Sequence, residues 1–579
     1  MHNAPRLLVD LAMVLGVGAM TSVLFRWLRW PVVLGYVLAG VIVGPHVPLL
    51  LVADQDNIHT LGELGVTLLM FSLGLEFSLG RLRLAGPSAL LMAAIQAGAA
   101  ASLGYLASLS FGWTTTESMF VGAALSIGST MLIAKLFSEH EPPKALRDMV
   151  LSMLVVQDLI AIILLTALTA TARAGSADAA PIGRTLLQLG LFLAVVFSLG
   201  LFIVPRFLRW VADHMSAETL LVVCCGLCFV LAVGAASMGL SVALGAFLAG
   251  MLAAESGRAR AIDHLVVPLK DLFTTIFFVA VGMLIDPRYL LSLWGPILLL
   301  SGLVVVANTL FTTLGGLFAG HSFGLSLRGG MALSQIGEFG YIILGTGVVA
   351  GVVRPEIYSG GVAVGVVTAA LTPILMRVAE PFSQALEARI PEPILARMSL
   401  YRAWAEGLRG RDLRREPGTS RQAFHLLGDA VLLVAFTLGS HWLYQWIQGW
   451  LEGAFHWGKM LANTSVAALL GVVWAILIYS LVRHGRRMAR DLAVLAPIPI
   501  AEGSPRLGRH VLAGGLRIAL FLMTALPLLA ILQPFVPKGP LFLVALTVFA
   551  GTLIVQVRRA VPSTHSITED LLARFRRDI

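Results

Sequence analysis

The sequence predicts an all-helical protein that crosses a lipid bilayer many times. Of its 579 residues, 58% are apolar and only 13% are charged, and the mean hydropathy is +0.87. A typical soluble domain is about 25% charged, so this composition excludes an ordinary soluble enzyme. The 41 Lys and Arg exceed the 32 Asp and Glu. In a membrane protein this excess reflects which side the loops face, and we expect no nucleic-acid partner.

Stretches of roughly 20 apolar residues mark the segments that can span the hydrocarbon core. The sequence contains about thirteen such segments before Arg377 and about four more after a polar stretch. The first set lies near residues 7–25, 32–48, 58–79, 88–110, 116–137, 148–170, 185–205, 218–236, 239–256, 268–286, 294–319, 329–351 and 357–376. The second set lies near residues 422–446, 460–482, 510–533 and 540–557.

The distribution of basic residues tests these spans, because cytoplasmic loops carry an excess of Lys and Arg. With the N-terminus outside, 22 of the 27 Lys and Arg up to Arg421 lie on the cytoplasmic side and five lie outside. The C-terminal segments continue this alternation, so the C-terminus is expected in the cytoplasm. The predicted organisation is a transmembrane domain (1–385), a basic cytoplasmic linker (386–421), an additional transmembrane region (422–558) and a basic tail (559–579).

The linker is typical of an amphipathic cytoplasmic helix that is attracted to anionic lipid headgroups. The sequence contains no P-loop and no strand–GxGxxG–helix stretch, so we expect no nucleotide partner and no cofactor. Cys224, Cys225 and Cys228 lie in an apolar span without a neighbouring His or acid. They are interpreted as inert thiols, and no metal is expected beyond a transported cation.

Two acidic residues lie deep inside predicted spans. Asp158 is about ten residues, or roughly 15 Å, into the sixth span, beside Gln157 in the apolar run LVVQDLIAIILL. Glu338 lies at a similar depth in the twelfth span. A carboxylate at the bilayer centre is costly and therefore indicates function. A structural role remains open for both acids. It is especially open for Glu338, because backbone N–H groups freed by the nearby interruption could donate hydrogen bonds to its carboxylate.

Small polar residues interrupt the fifth and twelfth spans, within ALSIGSTMLIAKL and ALSQIGEFG. Irregular backbone at membrane depth is tolerated only where it lines a cavity or is buried in protein. Paired interrupted segments in the two halves of a transporter are the best sequence indicator of a binding site at the membrane centre. Most of the interrupting residues are poor helix formers; the set is Ser126, Gly128, Ser129, Thr130, Ser334, Gln335, Gly337 and Gly340.

Six blocks of sequence, in order, resemble the Kef-type branch of the monovalent cation:proton antiporter-2 family. The resemblance covers roughly residues 7–385 and does not extend into the tail. The blocks are LGYVLAGVIVGP, LGELGVTLLMFSLGLEFS, ALSIGSTMLIAKL with VVQDLIAI, LGAFLAGMLAAES, FFVAVGMLID and ALSQIGEFGYI.

The resemblance implies a thirteen-helix antiporter fold built as an inverted repeat, here with about four extra C-terminal transmembrane helices. It also implies a homodimer in the plasma membrane, which is the inner membrane in bacteria. The activity it implies is exchange of a monovalent cation for protons by alternating access, and the Gln157–Asp158 pair favours K+ over Na+. Asp158 would bind the proton and the cation in turn. The residues implied to complete the ion site are Gln157, Ser126, Ser129 and Thr130, and those around the crossed helices are Gly128, Ser334, Gln335 and Glu338.

Two departures from the family leave alternatives open. Many relatives place a membrane-embedded Lys in the span after FFVAVGMLID, where Asn308 is the matching residue here. The tail carries apolar spans in place of the soluble nucleotide-binding domain of Kef proteins. These departures motivate an alternative, a gated cation channel or a sensor on an antiporter scaffold. A further alternative is a scaffold whose tail recruits a partner.

Overall fold

Helices form nearly all of the structure, as the apolar spans predict. The computed structural model describes residues 6–28, 30–46, 55–76, 79–139, 141–174, 191–238 and 240–392, the helical run 479–489, the helix 505–532, and scattered helical positions between 395 and 551. In chain order the helices are α1 (Arg6–Trp27), α2 (Val32–Val43), α3 (Gln55–Glu76), α4 (Leu79–Ser110), α5 (Thr115–Leu125), α6 (Thr130–Glu139), α7 (Lys144–Ala174), α8 (Leu201–His214), α9 (Ala217–Ser237), α10 (Val242–Ala254), α11 (Ala259–Met283), α12 (Pro287–Ser292), α13 (Trp294–Phe318), α14 (Phe323–Ala332), α15 (Glu338–Val349), α16 (Pro355–Glu387) and α17 (Pro505–Leu532).

Local sequence explains where several helices begin. The Thr114 hydroxyl accepts a hydrogen bond from the backbone N–H of Glu117, and the Glu117 carboxylate accepts one from Thr114, which forms a capping box at the start of α5. Serine hydroxyls cap α9, α10 and α14 in the same position. Within α4, Gly86 has a φ of 70°, a conformation that favours glycine, and Pro87 follows it. This kink separates a short first turn from the long apolar part of α4.

Each of the thirteen segments predicted before Arg377 overlaps at least one described helix. Nine helical stretches in the described part of the chain are long and apolar enough to cross a membrane, and the others are shorter. The number of membrane crossings therefore stays a prediction. Of the four spans predicted in the tail, α17 covers the one near 510–533. The other three lie wholly or largely outside the described residues.

The helices pack as two groups. Helices α1, α2, α3, α9, α10 and α11 form a group that is called here the glycine-packed group. Helices α4, α5, α6, α7, α13, α14, α15 and α16 form the crossed-helix group. A buried apolar cluster that includes Phe71, Phe247 and Phe339 joins the two groups. Both interrupted spans belong to the crossed-helix group.

The C-terminal helix α17 packs on the outside of the crossed-helix group, against α4 and α13. Leu522 and Leu526 of α17 bury themselves against Ile95 and Ala99 of α4. Gly98 permits this close approach, because a side chain there would meet the backbone at Leu526 and Pro527. The described part of the tail is therefore in contact with two helices of the crossed-helix group.

Candidate functional site

The first interruption separates α5 from α6. Helix α5 ends at Leu125 with Ser126 as its C-cap, and residues 127–129 are non-helical before α6 begins at Thr130. The Ser129 hydroxyl accepts a hydrogen bond from the backbone N–H of Leu132 at 3.2 Å, so Ser129 caps the new helix. The poor helix formers of ALSIGST thus produce a real break, as the sequence predicts.

The second interruption separates α14 from α15. Helix α14 ends at Ala332, and α15 begins at Glu338 after an extended Gly337. Neighbouring helices satisfy the freed polar groups: the backbone N–H of Ile336 donates to the Thr368 hydroxyl at 3.3 Å, and the Thr372 hydroxyl donates to Gln335 Oε1 at 3.2 Å. The Ser334 hydroxyl lies 2.9 Å from that of Thr309 on α13.

The two interruptions cross and touch. The backbone N–H of Gly337 donates to the carbonyl of Ile127 at 2.8 Å, and Gly337 lies so close to the carbonyl of Gly128 that no side chain fits. The Ser129 hydroxyl donates to Glu338 Oε2 at 2.9 Å. The N-termini of α6 and α15 therefore meet at the crossing, and their helix dipoles make it favourable for negative charge.

Asp158 lies on α7 beside this crossing. Its side chain is buried, and both carboxylate oxygens accept hydrogen bonds from the Thr130 hydroxyl, at 3.2 and 3.1 Å. Thr130 is the first residue of α6. The sequence places Asp158 and Thr130 on different predicted spans, and the structure brings them into direct contact at the start of a half-helix.

Three buried amide side chains form a row of hydrogen bonds that begins at Gln157, the residue before Asp158. Gln157 donates from Nε2 to Oε1 of Gln96 on α4 at 2.5 Å, and Gln96 donates from Nε2 to Asn308 Oδ1 on α13 at 2.7 Å. Gln96 also donates to the carbonyl of Ser126, and Asn308 donates to the carbonyl of Leu333. This Gln157–Gln96–Asn308 relay therefore connects α7 to both interruptions.

Glu338 is the second acid of the site. It is buried at the first position of α15, where its Oε2 is held by Ser129 and its Oε1 has no hydrogen-bond partner among the described residues. The structure thus pairs Glu338 with the opposite interruption as well as with its own helix end.

All of the site residues predicted from the sequence lie in this region, but they do not surround one common point. Asp158, Thr130, Ser129 and Glu338 surround the crossing, whereas Ser334 and Gln335 are bonded to α13 and α16 behind it. Sequence reasoning missed other members of the network, which are Gln96, Thr309, Thr368 and Thr372. Gln96 carries the same signal as Asp158, a lone polar side chain in an apolar run, MAAIQAGAA.

Two interrupted helices that cross beside a buried carboxylate are typical of secondary transporters, in which such breaks surround the substrate. The chain belongs to the family described as "Sodium/hydrogen exchanger, transmembrane", whose sequence model matches residues 12–377. It is therefore a multi-pass membrane protein of a transporter family and not an enzyme, and the resemblance to Kef-type cation:proton antiporters is confirmed.

Individual relatives agree with this assignment. The chain is 30% identical over 384 residues to K(+) efflux antiporter 5 of Arabidopsis thaliana, and the alignment covers 64% of this chain and 66% of the plant protein. It is 28% identical over 348 residues to the K(+)/H(+) antiporter subunit KhtU of Bacillus subtilis, over 58% of this chain and 84% of that one. The chain thus spans about two thirds of the plant relative's length.

A solved structure supports the fold. The sodium proton antiporter MjNhaP1 from Methanocaldococcus jannaschii superposes with a TM-score of 0.52, over 66% of this chain and 99% of that structure. The two sequences are 16% identical, so this likeness concerns the fold alone. It confirms a helical antiporter fold and leaves the predicted inverted repeat, helix number and tail helices as predictions.

Proposed function

We propose that this protein is a secondary antiporter that exchanges a monovalent cation for protons by alternating access, with Asp158 as the group that binds each in turn. One carboxylate that accepts either H+ or the cation couples the two fluxes without further machinery. The observation that carries the proposal is the position of Asp158, buried on α7 and hydrogen-bonded to the first residue of the half-helix α6.

The groups around Asp158 suit a small desolvated cation. Thr130 Oγ1 lies within hydrogen-bond distance of both carboxylate oxygens. The adjacent Gln157 is 1% exposed, and its Oε1 has no hydrogen-bond partner in the described part of the chain. Oxygen ligands of this kind can replace the water around an alkali cation, and Asp158 supplies the compensating charge. Ser126 and Ser129 lie in the interruption between α5 and α6, and Ser129 contributes through its hydrogen bond to Glu338.

K+ is favoured over Na+ as the exchanged cation. The support is the Gln157–Asp158 pair together with the relatives named as K(+) efflux or K(+)/H(+) antiporters. We further propose a homodimer in the plasma membrane with an external N-terminus and a cytoplasmic C-terminus. The asymmetry of Lys and Arg between alternate loops supports this orientation.

Proton flux in proteoliposomes tests the proposal. Purified protein is reconstituted with an internal pH dye, and K+, Na+ and Li+ are added separately. The expected result is cation-dependent proton movement in the wild type, strongest with K+, and none in Asp158→Asn. The control is Asp148→Asn, which changes an exposed acid near the start of the same helix. Cation-driven proton flux at the wild-type rate in Asp158→Asn would refute the role of Asp158.

The alternative of a gated channel is motivated by Asn308, a neutral residue where many relatives have Lys. Uphill transport separates the two functions. An imposed proton gradient should drive K+ against its own concentration gradient in wild-type proteoliposomes, because an antiporter couples the two ions. A channel can only dissipate the K+ gradient, so purely downhill K+ movement would contradict the antiporter.

A further inference from the structure

Gln96 lies on α4, outside both interruptions, yet its side chain is hydrogen-bonded to the end of α5, to α7 and to α13. Its side chain is fully buried, both of its N–H groups donate hydrogen bonds, and its carbonyl oxygen accepts one. Nε2 donates to the Ser126 carbonyl at 3.1 Å and to Asn308 Oδ1 at 2.7 Å, while Oε1 accepts from Gln157 Nε2. A buried amide that is satisfied in this way is held rigidly.

Two backbone carbonyls fix the direction of the whole relay. A carbonyl oxygen can only accept, so the group that faces Ser126 O must be the NH2 of Gln96, and the group that faces Leu333 O must be the NH2 of Asn308. Gln96 therefore presents Oε1 to α7. Because Oε1 is an acceptor, Gln157 must turn its own NH2 toward Gln96.

The orientation of the Gln157 amide also fixes where its oxygen, Oε1, lies. With its NH2 occupied by Gln96, its Oε1 points toward Gly128 in the first interruption, where a Cβ would lie 3.2 Å from it. This oxygen is buried and has no hydrogen-bond partner among the residues that the structure describes. A flipped amide would instead present two donors at this place, which would repel a cation.

We propose that Gln96 is a positioning residue that selects the orientation of the Gln157 amide, so that an oxygen and not an NH2 faces the transported cation. Asn308 fixes the far end of the relay and acts in the same direction. This inference rests on the proposed function. Two neutral amide side chains, Gln96 on α4 and Asn308 on α13, would thus orient a ligand of the ion site without contacting the ion.

The test measures apparent cation affinity separately from maximal rate. In Gln96→Met the side chain keeps a similar size but loses its hydrogen bonds, so the Gln157 amide is free to turn. The K+ concentration for half-maximal proton flux should rise about tenfold, which corresponds to the loss of one oriented buried hydrogen bond. The maximal rate and its pH profile should stay close to wild type, because Asp158 is unchanged.

The control and the second variants keep the result interpretable. Ser102→Ala removes a buried hydroxyl on the same helix whose one hydrogen bond, among the residues that the structure describes, is to the Gly98 carbonyl, and it should leave the K+ dependence unchanged. Gln96→Asn keeps an amide but is too short to reach both Ser126 and Gln157, and Asn308→Ala removes the far end of the relay. Both should raise the half-maximal K+ concentration, by less than Gln96→Met does.

Failure of this inference is distinguishable from failure of the proposed function. If Asp158→Asn abolishes exchange while Gln96→Asn and Asn308→Ala retain the wild-type half-maximal K+ concentration, the relay does not orient Gln157, and only this inference is overturned. A fall in maximal rate with unchanged half-maximal K+ concentration would also contradict it. If the wild type shows no cation-dependent proton flux, the proposed function itself is wrong.

Discussion

The glycine contacts of the glycine-packed group and the polar helix breaks of the crossed-helix group use small residues for different purposes. In the glycine-packed group, glycines bring continuous helices into backbone contact: Gly74 of α3 faces Gly250 of α10, and Gly40 of α2 faces Gly282 of α11. In the crossed-helix group, small polar residues end helices and free backbone groups for side chains such as Gln96. The same composition thus produces a closely packed body in one region and a polar site in the other.

The glycine pairs are reciprocal. The carbonyl of Phe71 faces Gly250, and the carbonyl of Phe247, three residues before Gly250, faces Gly74. Contacts of this kind depend on close van der Waals packing between backbones. The crossing instead depends on hydrogen bonds between side chains and broken helix ends. We therefore expect substitutions in the first region to change folding, and those in the second to change transport more than stability.

The largest effect is expected at a glycine pair. In Gly250→Leu the new side chain collides with the backbone of α3 at Phe71 and Gly74, which cannot move aside as a flexible side chain would. The folded protein should lose about 3 kcal/mol of stability, at the upper end of overpacking effects. Thermal melting in detergent, followed by size-exclusion chromatography, measures this loss. The control is Gly302→Leu on α13, where an added Cβ would meet no atom of a neighbouring element within 4 Å in the described part of the chain. Equal melting of the two variants would contradict the prediction.

The next effect concerns an ion pair at one end of the crossed-helix group. Arg354 donates to both carboxylate oxygens of Glu117, at 2.6 and 3.4 Å, and Glu117 is buried. Arg354→Gln leaves that carboxylate without its cation, and we expect a loss of about 2 kcal/mol, below the fully buried case because Arg354 is half-exposed. Glu356→Gln removes only the outer contact of Arg354 and should change the melting temperature little. The prediction is contradicted if both variants melt alike.

A smaller effect on stability, with a larger one on transport, is expected at Ser129. Its hydroxyl caps α6 and donates to Glu338, so Ser129→Ala should lose about 1 kcal/mol, the usual contribution of an N-cap. Ser322 caps α14 in the same way but contacts no acid through an observed hydrogen bond. Ser322→Ala should show the same stability loss with unaltered cation-dependent proton flux, whereas flux should fall in Ser129→Ala. Equal fluxes in the two variants would mean that the hydrogen bond from Ser129 to Glu338 plays no part in transport.

The smallest effect depends on pH. Hydrogen bonds from Arg288 hold the pKa of the Asp286 carboxyl below its ordinary value, although burial opposes this. Because the pKa is lowered on folding, Asp286 stabilises the protein above its unfolded pKa of about 3.9, and this contribution is lost as the pH falls through the folded value. Asp286→Asn should therefore melt below the wild type at pH 7, and the difference should shrink below about pH 4. A difference that grows on acidification has the wrong sign.

The sequence predicts the interruptions because their residues are poor helix formers, and it predicts Asp158 because a lone acid in an apolar run is costly. These are local signals. Which residue meets which is decided by packing: the contact between Thr130 and Asp158 joins α6 to α7, and the bond from Ser129 to Glu338 joins the two interruptions. Periodicity and composition contain no information about these pairings.

The sequence also does not predict which glycines lie in backbone contacts between helices. Gly302 and Gly250 both lie in apolar helical sequence, yet one has open space around it and the other contacts a neighbouring backbone. Gln96 could have been nominated from its apolar surroundings. Its hydrogen bonds to Gln157 and Asn308 could not have been predicted, since these residues lie 61 and 212 positions away in the chain.

The most direct test of the central claim is a count of protons released when a cation binds. Purified protein in weakly buffered detergent solution is titrated with K+ in the presence of a pH indicator. If Asp158 binds either a proton or the cation, saturating K+ should release up to about one proton per chain from the wild type and from Asp148→Asn, and none from Asp158→Asn. Undiminished release from Asp158→Asn would mean that the shared site is elsewhere.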